Sequence, residues 1–448
     1  MGTVECVSDT LDAESAAKTV APSLLPHFAI ALNSLHKPMA MPRTLCDLRS
    51  HFGGALYDES VKLAELKISE SNHVGQRKLC IALIEFLTEV HAFQVRTVGH
   101  TSPVLVLYVG SSLVAALAAN DLFPDDRIVC YDPIVEMTLD VARRELGAGA
   151  PKIISSRITT TTKALSAATA SSELSKKPIL LFTGQAAGTF RDDTCKYVLE
   201  LARHCGSMEI ALVSDIRRPI LGAEKEIGIA EDMVNQARWA ALLQVRFYCF
   251  KFRLPFKVTE DIRSEYAKMA PLSTVGCDSS KCVPYLGGQC VLQKYARDPS
   301  TEMRLTGLTK PTMVMYDVSE VEALLAPFNA VHRSRTSFVP YASAIGGNDQ
   351  ITPADVLNAA RCAGAGTLLP GRGASFDALG ECCVIRDALL IGKPHAGLTE
   401  FEAACAHFSS MFAARGLYRQ RIGVNKSAKL QKLRIRLPNA KPSRSGKR

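Results

Sequence analysis

Short apolar strands alternating with helical stretches constrain this chain more than any other feature. VLVLYV (104–109) runs into Gly110 and then a stretch of small residues. RIVCYD (127–132) runs into MTLDVARREL, and KIIS (152–155) and ILLF (179–182) read as further strands. TCKYVLELARHC has a helical period, EIALVSD (209–215) is the next strand, Asp232 to Val245 is again helical, and FYCFKF (247–252) alternates like a strand. Unbroken apolar runs fit strands buried on both faces, and helices between them favour parallel pairing. The pattern predicts an α/β fold with a doubly wound, mostly parallel sheet.

The flanks divide the chain further. Residues 1–57 read as an irregular lead containing Pro22, Pro26, Pro38 and Pro42. The α/β domain is expected over 58–335 and opens with helix over 58–94, where Leu79, Leu83, Phe86, Leu87 and Val90 recur at three- and four-residue steps. The Thr-, Ser- and Ala-rich segment 158–177 predicts a loop with a weak helix. Residues 336–416 form a helical addition with starts at Thr352-Pro353 and at Thr399. Phe401, Phe408, Met411 and Phe412 give its last helix a core-facing spacing. Residues 417–448 are a basic tail.

Charge matters because it is uneven. The net charge is +9, yet twelve Lys or Arg and no acid lie from Arg415 onward, so the first 414 residues carry 41 basic against 44 acidic side chains. A body this balanced, 47% hydrophobic and 22% charged, excludes wholesale disorder, a collagen and a membrane bundle. The tail suits non-specific binding to RNA phosphates, or a nuclear address through KSAKLQKLRIR. Fourteen cysteines in 448 residues are too sparse for a disulfide scaffold. The start MGTVECVSDTLDAE lacks a signal-peptide pattern, and Cys6 stands where a myristoylation site needs Ser or Thr. The most apolar stretch, 103–119, is short for a membrane span and is broken by Gly110-Ser111-Ser112. A reducing compartment and no membrane partner are expected.

Several residues offer chemistry. An apolar strand ending at Tyr108-Val109-Gly110, followed about 20 residues on by a strand ending at Asp132, is a nucleotide-cofactor arrangement. The glycine admits close backbone approach, and the acid can accept ribose hydroxyls. GSSLVA replaces GxGxxG, which leaves room for a cofactor without a pyrophosphate. SDIRR (214–218) follows EIALV at a strand's carboxyl end, where open α/β sheets bind ligands. Lys251 interrupts an aromatic strand, where a buried ammonium needs a partner. Glu302 sits in STEMRL (300–305). Cys277, Cys282 and Cys290 are close in sequence, but their spacing matches no common zinc pattern, and no metal is expected. Gly371-Arg372-Gly373 reads as an ordinary turn.

Taken in order, GQRKL (75–79), LYVGS (107–111), SDIRR (214–218), KFRLPF (251–256) and STEMRL (300–305) resemble the cap-specific RNA 2′-O-methyltransferases, especially the poxvirus members and the trypanosomatid members that act on spliced-leader mRNA. The resemblance covers about residues 70–330. It implies a Rossmann-like S-adenosylmethionine-dependent methyltransferase that modifies a ribose 2′-hydroxyl near the 5′ cap, in the nucleus, alongside other capping or RNA-processing proteins. The family's Lys–Asp–Lys–Glu tetrad falls on Lys78, Asp215, Lys251 and Glu302. Lys251 would be the proton acceptor, tuned by Lys78 and oriented by the two acids. Gln76, Tyr108, Gly110, Ser111, Asp132 and Ile158 would line the cofactor pocket, with the ILLF strand as an insertion. Phe256 matches a cap-stacking position. Pro299 stands where its aromatic partner is expected, with Tyr295 as the nearby substitute and Asp317 or Glu320 as the guanine-pairing acid. Arg217, Arg253 and Arg304 would contact RNA. A non-catalytic cap- or RNA-binding subunit with the same fold is the alternative, against which the complete tetrad speaks.

Overall fold

The computed structural model describes residues 44–47, 75–134, 150–217, 224–269, 281–293, 301–327, 351–352, 354–356, 358–359 and 378–413. Readings made on 58–74, MTLDVARREL, Cys277, Tyr295, Pro299, Gly371-Arg372-Gly373 and the tail lie outside those residues.

The sheet grows from its centre. β1 (Val104–Val109) is buried at every position, as its unbroken apolar sequence requires. It pairs in parallel with β2 (Arg127–Asp132) on one side and β5 (Glu209–Ser214) on the other. β4 (Ile179–Thr183) adds to β2, β3 (Ile158–Thr161) adds to β4, and β6 (Phe247–Phe252) adds to β5, all in parallel. β9 (Met303–Gly307) and β8 (Gln289–Val291) complete the β6 side in antiparallel fashion. The order is β3-β4-β2-β1-β5-β6-β9-β8, an eight-stranded, mostly parallel α/β sheet compatible with a Rossmann-like arrangement. β7 (Cys282–Leu286) and β10 (Met313–Asp317) form a separate antiparallel pair.

Two expectations on the β3 side need correction. KIIS is not a strand: it lies in the helix α3 (Ala150–Arg157), and the next strand is ITTT, in the segment read as loop. Ile153 and Ile154 pack against the core from the helix. The β-branched threonines suit an edge strand exposed along one side. ILLF forms β4, which sits between β2 and β3 in the sheet.

The helices are α1 (Gly75–Val98), α2 (Leu113–Leu122), α3, α4 (Ala167–Lys176), α5 (Asp192–His204), α6 (Lys225–Leu243), α7 (Glu260–Ala267), α8 (Val318–Pro327), α9 (Ala378–Gly392) and α10 (Leu398–Ala413), with one extra turn at Gly184–Ala187. α2 is apolar almost all round and buried from Leu113 to Asn120; the Ser112 hydroxyl caps it by accepting from Ala115 N at 3.1 Å. α9 packs against α1 and α2, and Phe401 and Phe408 of α10 join the main core. The expected C-terminal addition is thus continuous with the α/β core. No helix among the described residues is long and apolar enough to cross a membrane.

Candidate active site

The chain leaves β1 for β2 on one side and later returns to β5 on the other. This makes the carboxyl ends of β1 and β5 the topological switch point, where such sheets bind ligands. Gly110 stands after β1 and Asp215 after β5. Gly110 has φ +70°, and a Cβ there would come within 3.0–3.1 Å of the Asp215–Ile216 backbone. Asp215 N donates to Val109 O at 3.0 Å, so the two strand ends are stitched together. A buried relay sets the last residue of β5: Gln236 Nε2 donates to Ser214 Oγ at 3.2 Å, and the Tyr285 hydroxyl donates to Gln236 Oε1 at 3.0 Å.

Sheet register then assembles the acids and bases. Ser214 pairs with Phe250, which sets Asp215 beside Lys251, and Lys251 is directly opposite Arg304 on β9. Lys251 Nζ is 3.5 Å from Asp215 Oδ1 and 3.5 Å from Glu302 Oε2. Lys78, from the start of α1, donates to Glu302 Oε1 at 2.9 Å. The four residues anticipated as a tetrad therefore form one cluster, drawn from α1, β6 and the ends of β5 and β9. Their side chains keep 13–22% of their surface exposed, enough for an incoming ligand to reach.

Arg304 belongs to this cluster. It was expected on RNA; instead its side chain is only 5% exposed, and Nη1 donates to Asp215 Oδ1 at 2.6 Å. The alternation of β9 puts Glu302 and Arg304 on one face, toward Lys251 and Asp215. That period-2 relation within STEMRL was the available sequence signal.

The electrostatics follow from three cations facing two carboxylates. Burial alone would raise Asp215, but the Arg304 guanidinium and Lys251 ammonium hold it below its ordinary value. Glu302 lies well below the carboxylate range because Lys251, Lys78 and Arg304 outweigh its burial. Arg304 is raised, its two acids outweighing desolvation. Lys78 is lowered, chiefly by burial, with Glu302 opposing and Arg304 and Lys251 reinforcing. Beneath the cluster, Tyr108 is fully buried, and burial together with Asp215 pushes its hydroxyl far above the usual range.

On the other side of the switch point, Asp132 ends β2, and its Oδ1 accepts from Ile134 N at 2.8 Å. Ser111 is buried, and its hydroxyl makes no hydrogen bond. Gln76 lies in the first turn of α1. Ile158 does not reach this edge: it pairs with Ile179 at the amino end of β3, two strands away from β2. The residue in register with Asp132 is Thr183, fully buried, with a hydroxyl that makes no hydrogen bond. Gly188 lies so close that a Cβ would overlap the Asp132 carbonyl oxygen. Thr183 was missed, although ILLF-Thr-Gly repeats the strand-then-glycine logic of VLVLYVG.

Phe256 is 58% exposed. Arg253, expected on RNA, lies beneath it with its guanidinium carbon 4.2 Å from the ring centroid, is buried, and pairs with Glu226. Phe256 N also donates to Glu226 Oε2 at 3.3 Å. The Arg217 Nη1 donates to Ile216 O at 3.3 Å, while Nη2 is buried without a hydrogen bond. Asp317 accepts from Glu320 N at the start of α8, so it caps a helix. Cys282 is disulfide-bonded, and the Cys290 thiol lies 4.0 Å from the Tyr316 hydroxyl. Comparison with models of protein families and with curated proteins finds no match for this chain.

Proposed function

We propose that this protein transfers a methyl group from S-adenosylmethionine to a ribose 2′-hydroxyl near the 5′ cap of an RNA. The observation that carries the reading is the convergence of Lys78, Asp215, Lys251 and Glu302 at the sheet's switch point, in the order the family resemblance requires.

The residues present fit the cofactor. Asp132 offers a carboxylate for ribose hydroxyls, the Thr183 hydroxyl is buried without a hydrogen bond beside it, and Gly110 lets the ends of β1 and β5 close on each other next to them. When bound, the cofactor supplies an already activated methyl group. What remains for the protein is placement of the acceptor hydroxyl and removal of its proton.

Three cations against two carboxylates leave the cluster one proton richer than neutrality needs. Asp215 and Glu302 stay ionised, Arg304 keeps its proton, and Lys78 holds its proton less tightly than an ordinary lysine. Lys251 stands between both acids and takes the 2′-hydroxyl proton in this reading. Lys78, lowered by burial, shares Glu302 and tunes the pair. Arg304 fixes Asp215, and Asp215 and Glu302 together aim Lys251. Phe256, held flat on Arg253, offers an exposed face on which a cationic methylated base can stack.

The direct test is incorporation of labelled methyl into short capped RNAs by wild type and Lys251→Ala. The variant should bind RNA but transfer no label. Transfer undiminished in Lys251→Ala would remove the basis of the reading.

A further inference from the structure

Lys78 sits in the first turn of α1, where a helix lacks intrahelical acceptors for its N–H groups and frays most easily. Something must hold that turn if Lys78 is to meet Glu302 at 2.9 Å. The neighbouring residue supplies it. Arg77 pairs in bidentate fashion, through Nε and Nη2, with both carboxylate oxygens of Glu381 in the first turn of α9. The side chains are 13% and 3% exposed. Glu381 outweighs desolvation and raises the Arg77 guanidinium above its ordinary value.

A buried ion pair is a poor way to gain stability, because desolvation consumes most of the attraction. What a planar two-point fork adds over apolar contact is direction and register. The rest of the contact agrees. α9 packs along α1 and α2. At its far end Gly392 lies so near Leu122 O of α2 that a Cβ would stand 3.2 Å away. α10 adds His407 Nε2 to Asp121 Oδ2 at 3.0 Å. The C-terminal helices are therefore fastened to the two helices that flank the site: α1, which bears Lys78, and α2, which follows the Gly110–Ser112 turn.

We infer that Arg77 and Glu381 are a positioning pair through which the C-terminal helix sets the place and charge of Lys78. This rests on the methyl-transfer reading for its effect on rate. Its effect on Lys78 does not. Glu381 holds Arg77, and with it the first turn of α1; without that hold Lys78 draws away from Glu302, the carboxylate that favours its charged form, and holds its proton less tightly.

The test uses the full chain as wild type, Glu381→Gln, Arg77→Lys and the exchanged double variant Arg77→Glu/Glu381→Arg, each checked for folding by circular dichroism. Lys78 reactivity toward an amine-labelling reagent is followed against pH by mass spectrometry, alongside kcat and KM. In Glu381→Gln the labelling midpoint of Lys78 moves to lower pH, other lysines do not move, and kcat falls about tenfold or more with KM nearly unchanged. The exchanged pair restores both in large part. Arg77→Lys keeps the charge but loses the fork, so kcat and the Lys78 midpoint fall in the same direction and by less; this variant carries the test if Glu381→Gln does not fold. An unmoved Lys78 midpoint in folded Glu381→Gln, or wild-type kcat in both single variants, overturns the inference. If wild type transfers no methyl at all, the functional reading fails, and the labelling profile alone decides on the pair.

Discussion

Lys251 is set between two carboxylates at equal distances, and its role depends on its ability to give up a proton. Lys251→Arg separates charge from proton transfer, because guanidinium can pair with Asp215 and Glu302 yet does not deprotonate. The account predicts that Lys251→Arg folds, binds RNA and loses methyl transfer by about 10²-fold or more; activity within a few-fold of wild type would deny Lys251 the base role. Arg304→Met tests the other half of the cluster. It removes the closest partner of Asp215 while Lys251 remains, so a loss of about 1.5–3 kcal/mol in unfolding free energy is expected, read by denaturant titration. The tetrad was legible from residue types in order. Arg304 was not, because arginine in a basic RNA-oriented motif reads as a surface contact until strand alternation shows which way it faces. Arg253 misled in the same way, being committed to Glu226 and to the underside of Phe256.

At the level of elements, β1, β2, β4 and β5 were legible because buried parallel strands are written as continuous apolar runs, and β6 from its alternation. β3 was not, since an edge strand of one isoleucine and three threonines has the composition of a loop, while KIIS has that of a strand and folds as helix. The order β3-β4-β2 lies beyond any local pattern, because it is set by which strand covers β2. That order puts Thr183, rather than Ile158, in register with Asp132. Thr183→Val keeps shape and removes the unpaired hydroxyl; it should raise KM for S-adenosylmethionine several-fold without destabilising the fold, and Ile158→Val should leave that KM unchanged. An unchanged KM in Thr183→Val would take the hydroxyl out of the pocket. Gly110→Ala forces a Cβ onto the Asp215–Ile216 backbone at positive φ, and a loss of at least about 1–2 kcal/mol is expected from the conformation alone.

Across the whole molecule, a buried histidine network and the lysine–carboxylate cluster lie at opposite ends of the sheet. At the amino end, buried His91 meets Asp126 Oδ2 at 3.0 Å through Nε2 and Gln94 Oε1 at 3.0 Å through Nδ1, while Ser102 N donates to the same Gln94 oxygen. Two acceptors facing the two ring nitrogens favour the imidazolium. Burial opposes that charge, but Asp126 outweighs it and raises His91 above its ordinary 6.5. A raised folded-state value stabilises the fold fully below about pH 6.5, and this contribution is lost as pH rises through the folded value. Thermal midpoints of wild type should therefore fall across that window, and His91→Gln should fall less steeply; equal slopes would show that His91 is not the charged form. The C-terminal helices belong to this same body, fastened to α1 and α2 although the sequence set them apart as an addition. The measurement that bears most directly on the central claim is label transfer from S-adenosylmethionine to capped RNAs that each carry one 2′-deoxy substitution among the first four nucleotides. The account predicts that label disappears for a single substituted position and persists for the others. Label that persists on every substituted RNA, or no label on any RNA that still binds, would contradict it.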